Sequence, residues 1–258
     1  MIPPFQIKAL VLSLFVFLVA SVSTSLAAQE VRVGATEFPP YIMIERSGAV
    51  GGILVDTLHY LNSIQTKYKF VAISYSAMRR HNGFKNKVFD VSFFDNIEWG
   101  WDKSAVDVSD IFMRGKEIYI ALAKPGRGEE YFNDLRQRTM IGVLGYHYAF
   151  ADFNSDPAYL RKNYKMQLTS SNEGSIAMVL DGRGDVAVVS DAFLNWYLLK
   201  NPTSKKLLVS KKVDQHYLHT VIVRKNTSPS VTEINALLKQ FRKSKVYEEI
   251  LQKYGVSR

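Results

Sequence analysis

Residues 31–35 alternate apolar and polar positions like a short strand, and the same coarse periodicity predicts strands at 69–73, 88–94 and 118–124. Between the first two lies a helix. Ile53, Leu54, Leu58 and Leu61 recur near helical spacing, so a helix over 53–66 has one apolar face to bury against a sheet. A second helix is predicted at 75–82. Ahead of the first helix, residues 38–41 form an aromatic-flanked proline turn, β-type residues resume over 41–44, and Gly48 marks another turn. After Pro125-Gly126-Arg127-Gly128 a new alternation begins: helix 130–137, strand 139–144, helix 148–153, strand 165–168, helix 173–180, strand 186–190. The chain then returns through a strand at 217–223 to a final helical stretch carrying Ile234, Leu237, Leu238, Phe241, Val246, Ile250 and Leu251.

The N-terminus has a different character. Lys8 precedes an apolar run over 9–22, and Ser25-Leu26-Ala27-Ala28 offers small residues suited to cleavage after Ala27, so residues 1–27 are expected to be a secretory signal. The run is shorter than the roughly 20 apolar residues needed to span a bilayer. With no cysteine in the chain, a disulfide framework, a lipid-bearing cysteine and a thiolate metal site are all excluded. The expected location is therefore the periplasm, as a soluble monomer. The roughly 230 residues after the signal suffice for two modest lobes, each with its own core. Although the net charge is +9, Lys and Arg are scattered and no nucleic-acid partner is expected. The densest basic run, residues 204–212, reads as a solvated face or as a docking surface for a permease.

VGATEFPPY followed by GAVGGILVDTLHYL (residues 33–41 and 48–61) resembles the opening of bacterial extracellular solute-binding proteins of family 3, best known for amino-acid uptake. The likeness continues. Residues 88–112, VFDVSFFDNIEWGWDKSAVDVSDIF, resemble that family's G-x-x-D … R … F-S-D-P-Y block, and GRGDVAVVSD (182–191) its second-domain strand. Residues 219–255 resemble the returning strand and final helices. The resemblance implies an α/β, two-lobe periplasmic-binding-protein fold of type II-like form, with two hinge crossings and a ligand cleft between the lobes. Lobe 1 is expected at 28–123 plus 216–258 and lobe 2 at 124–215, with crossings near 122–125 and 213–219.

A receptor of this kind needs a concave cleft whose polar atoms replace the solute's hydration. Phe38, beside the proline turn, is a candidate aromatic wall. The loop 95–102 holds Asp95, Glu98, Trp99, Trp101 and Asp102, two tryptophans and three carboxylates in eight residues, and all five are candidate ligand contacts. The resemblance implies an arginine in this loop that forks onto the ligand's carboxylate, and its place is held here by Asp102. Asp102 facing the cleft favours a cationic or neutral solute over a standard α-amino acid; the alternative is that it caps the following turn. Asp191 aligns with the carboxylate that holds the ligand's amino group, or else it caps the helix after it. Tyr146 and His147 lie where a strand opens into a helix, and Ser171 begins another, so each is a candidate contact. Arg79 and Arg80 offer a substitute guanidinium or a solvated pair.

No G-x-S-x-G, G-x-x-x-x-G-K or H-E-x-x-H occurs, so no catalytic residue and no cofactor are expected. His216 and His219, three apart on a strand, point to opposite faces and make no metal pair. The reading is a small-solute receptor for an inner-membrane ABC permease. Its rivals are a cyclic-acid dehydratase using Glu98, Asp102 and His147 as acid and base, and a ligand-binding sensory protein.

Overall fold

The computed structural model describes residues 27–202 and 206–256, so the expected signal segment up to residue 26 lies outside the described residues. β1 (Gln29–Thr36) leads through a small hairpin, β2 (Met43–Ile44) and β3 (Val50–Gly51), into α1 (Ile53–Ser63). α1 crosses to β4 (Tyr68–Tyr75), which pairs parallel with β1 over all eight residues from Gln29↔Tyr68 to Thr36↔Tyr75. Parallel neighbours require such a crossover, and the apolar face of Ile53, Leu54, Leu58 and Leu61 covers the sheet. Each of those fully buried side chains contributes about 1.5–3 kcal/mol of transfer free energy. α2 (Arg80–Lys85) then precedes β5 (Val91–Asp95), parallel to β1, and the short β6 (Val106–Val108).

β7 (Met113–Leu122) carries the chain into the second lobe. There β8 (Met140–Val143), α3 (Pro157–Tyr164), β9 (Gln167–Thr169), α4 (Asn172–Leu180), β10 (Val186–Ser190) and α5 (Asp191–Lys200) build an α/β unit. β10 is buried on both faces. Val186 and Val188 join Tyr119, Met140 and Tyr148, while Ala187 and Val189 join Ile118, Ile120, Ile141 and Phe193, as the strand's period of two requires. β11 (Leu207–Arg224) returns: it pairs antiparallel with β7 from Leu207 to His219, and with β5 from Thr220 to Val223. One path of strands, β4-β1-β5-β11-β7-β10-β8-β9, therefore runs through both lobes, with β6 on β11. α6 (Val231–Lys243) and α7 (Lys245–Tyr254) close onto the core of the first lobe.

Several expectations are corrected. The strand expected at 118–124 begins at Met113, and from Glu117 it pairs with β10, so its C-terminal half lies in the second sheet. The helices expected at 130–137 and 148–153 are only 3-10 turns, Glu129–Phe132, Leu135–Gln137 and Ala149–Ala151. α3 was not predicted, although Asp156 caps it by accepting from the Tyr159 N–H at 2.7 Å and Pro157 pre-sets its first turn. The final helical stretch is two helices, because Ser244 accepts from the Tyr247 N–H at 3.2 Å and restarts the ladder. Among the described residues no helix is long and apolar enough to cross a membrane.

Candidate functional site

A cleft of about 450 Å³, counting its open mouth, lies where the two lobes face each other. Its first-lobe wall consists of Phe38, the end of β5 with Ser92 and Asp95, the loop residue Trp99, and Arg80 at the start of α2. Its second-lobe wall is Tyr146 and His147, with Glu117 on β7.

Phe38 is placed by a tight turn in which its N–H donates to the Ile42 carbonyl at 2.9 Å and its own carbonyl accepts from Ile42 at 2.9 Å. Trp99 and Tyr146 both stand edge-on to the Phe38 ring, at 5.9 and 5.6 Å between centroids. Three aromatic rings thus meet in the cleft, two from the first lobe and one from the second. Asp95 is buried and already engaged: its carboxylate accepts from Ser92 Oγ at 2.9 Å, from Trp101 Nε1 at 2.7 Å and from the Asn96 N–H at 2.9 Å.

Arg80 is the cation of this site. It is 7% exposed, and its Nη2 donates to the Trp99 carbonyl at 3.0 Å and to His147 Nδ1 at 3.2 Å. Since a guanidinium only donates, Nδ1 is the acceptor and the imidazole proton sits on Nε2. Burial first, and then the charge of Arg80, push His147 down to about 3, so it is neutral. Among the described residues Arg80 has no ion-pair partner.

The two lobes touch directly here. Tyr146 Oη donates to the Glu37 carbonyl at 2.8 Å, and Gln215 Nε2 donates to the His147 carbonyl at 2.6 Å while its Oε1 accepts from Trp99 Nε1 at 3.2 Å. Gly145, at φ +84°, lies so near the first lobe that a Cβ would sit 3.1 Å from that of Ala77.

Glu117 is the buried acid of the cleft. It is 3% exposed, Oε2 has no hydrogen-bond partner, and burial raises its carboxyl well above the usual carboxylate range, with Asp214 and Asp191 adding to the rise.

The cleft thus unites Phe38, Asp95, Trp99, Tyr146 and His147 of the expected contacts, and leaves out the other five. Glu98 is exposed and pairs with Lys103 at 2.8 Å. Asp102 is exposed and accepts from Ser104 N–H and Oγ at 2.9 and 2.6 Å, which is the capping alternative. Trp101 turns into a core cluster with Phe84, Phe89, Val106 and Ile222. Ser171 caps α4, accepting from the Gly174 N–H at 3.1 Å. Asp191 starts α5, accepts from the Ala192 N–H at 2.8 Å and lines a separate depression with Tyr41, Lys116 and His216. With Asp102 outside the cleft and Arg80 inside it, no exposed loop carboxylate stands against a carboxylate-bearing solute there. Sequence reasoning did not single out Glu117, whose signal is one acid directly before the apolar run Ile118–Leu122.

No protein-family model matches the sequence, and no curated protein matches it. Solved structures do. The chain is similar to an ABC uptake transporter substrate binding protein from Streptococcus pneumoniae with bound histidine, at 16% identity and a TM-score of 0.70 over 87% of this chain and 92% of that one. It is similar to an ancestral amino acid-binding protein, a precursor of cyclohexadienyl dehydratase, at 18% identity and a TM-score of 0.64 over 87% and 94%. A histidine kinase sensor domain with similarity to periplasmic binding proteins matches at 17% identity and a TM-score of 0.65 over 88% and 96%. A transporter component, an enzyme precursor and a sensor share this architecture, so it fixes shape and leaves activity to the site. The chain has the α/β, two-lobe periplasmic-binding-protein fold, with two strands crossing between the lobes and the cleft between them.

Proposed function

We propose that the chain is an exported periplasmic receptor that captures one small solute between its lobes and, as a monomer, presents its closed form to an inner-membrane ABC permease. The observation that carries this reading is the presence of a buried guanidinium, Arg80, and a buried carboxyl, Glu117, on the walls of one cleft, neither in an ion pair among the described residues. Buried charges are costly until polar partners complete them. A solute that does so stabilises the closed form alone, because contacts such as Arg80 to His147 exist only while the lobes meet.

The lobes in this reading are residues 28–112 with 220–256, and residues 117–215, since pairing with β10 begins at Glu117 and pairing with β5 at Thr220. The short links between them are the hinge. The export pattern of residues 1–27 and the uptake role of the Streptococcus pneumoniae neighbour support the periplasmic, permease-coupled setting.

The test is a panel of amino acids, amines, sugars and cyclic acids, read by thermal shift and by small-angle scattering. A captured solute raises the melting temperature and shrinks the radius of gyration. A panel that changes neither rejects capture. A second reading has one observation in its favour: a neutral His147 and a Glu117 carboxyl with a raised pKa share the cleft, as an acid and base for dehydrating a cyclic acid require. Turnover of a cyclic hydroxy acid, lost in His147→Ala, would put that reading first.

A further inference from the structure

We propose that Glu117 is the seat of a cation subsite, which takes the ammonium or alkylammonium group of the solute against the aromatic wall of the cleft. The inference rests on the capture proposed above and names the chemistry that the cleft reads.

Glu117 stands where β7 passes from the polar stretch Arg114–Lys116 to the buried apolar residues Ile118–Ala121, and its Oε2 receives no hydrogen bond from its neighbours across the sheet. Opposite it in register stand Ser190 and Gln215. The Ser190 hydroxyl accepts from the Phe193 N–H at 3.1 Å to cap α5, and the Gln215 amide is committed to Trp99 and His147. Neither donates to Glu117, whose Oε2 has no partner although the side chain is 3% exposed. A carboxylate in such a place asks for a cation. Arg80 does not answer it: the two form no ion pair, and the guanidinium faces Trp99 and His147.

The surroundings choose the kind of cation. Phe38, Trp99 and Tyr146 line the same space, and an aromatic face there favours an organic cation by attraction to its π-system. A metal ion would want three or more clustered ligands, and among the described residues no group of three acidic, histidine or cysteine side chains is placed to hold one. Burial raises the Glu117 carboxyl well above its usual range, and an arriving cation reverses that by supplying the missing counter-charge.

The experiment compares the full chain, expressed for export, with Glu117→Gln and Glu117→Asp, titrated calorimetrically with L-arginine, putrescine and choline as cationic probes and with glutarate and glucose as probes lacking a cation. Binding of a cationic probe that falls on the order of a hundredfold in Glu117→Gln, and by less in Glu117→Asp, supports the subsite. Glu117→Asp keeps the charge but withdraws it by one methylene, so it reports on the subsite even if Glu117→Gln does not fold. A cationic probe that binds both variants as it binds the parent overturns the subsite while leaving capture standing. So does binding of glutarate or glucose alone. Absence of binding by every probe counts against capture itself, and the subsite falls with it.

Discussion

The loop 95–102 and the strand β7 both bring carboxylates to the middle of this molecule, and they treat them in opposite ways. On the loop, Glu98 and Asp102 are exposed and satisfied within a few residues, by Lys103 and by Ser104. On β7, Glu117 is buried and its Oε2 has no partner. A dense run of charges is a region that water already serves, whereas a single acid turned into a buried face is a group whose partner must come from elsewhere. The difference also separates their energetics: the loop carboxylates interact in a high-dielectric setting, and Glu117 does not.

Removing the cation that shares the cleft with Glu117 should show the largest effect. Arg80→Ala strands the Trp99 carbonyl and His147 Nδ1, and it is expected to cost about 3 kcal/mol, measured as a fall in the urea midpoint at unchanged slope. A loss below about 1 kcal/mol would mean that Arg80 is no part of a tight site.

Next comes pH. Burial raises Glu117, Asp191 and Asp214 together. An acid with a raised folded-state pKa contributes its stability below the unfolded pKa and loses it as pH climbs towards the folded value. Ligand-free protein should therefore weaken from about pH 4 upward, by at most about 1.4 kcal/mol per pH unit for each carboxyl. Glu233, pushed down to about 2 by its hydrogen bond with Lys67, works in the other direction and loses its contribution as pH falls. Glu117→Gln should lessen this loss with rising pH without abolishing it; urea melts at several pH values decide.

The smallest effect belongs to the loop. Glu98→Gln with Asp102→Asn keeps the local acceptors, so stability should move by less than about 0.5 kcal/mol and solute affinity should not change. A tenfold change in affinity would break the contrast by bringing the loop into the site.

Much of this architecture is legible in the sequence because periodicity and turn chemistry are local. The β1, α1 and β10 patterns translate directly into buried faces. Arg79 and Arg80 show where legibility ends: one is exposed and the other buried, and a single residue of helical phase decides which. The same holds for Glu117 against Lys116, adjacent on a strand and pointing to opposite faces. Only the meeting of the two lobes tells which face opens on a cleft, and that is a relation between segments far apart in the chain. Asp102 misled for the complementary reason, since its place along the sequence suggested a ligand and its short side chain found Ser104 first.

The bond that ties the lobes at the mouth runs from the Tyr146 phenol to the main-chain carbonyl of Glu37. Every amino acid has that carbonyl, so no substitution at position 37 can delete the acceptor. The tie is insulated from mutation on one side, and its capacity to drift is concentrated in residue 146: Phe there unfastens it, whereas any side chain at position 37 leaves the acceptor in place.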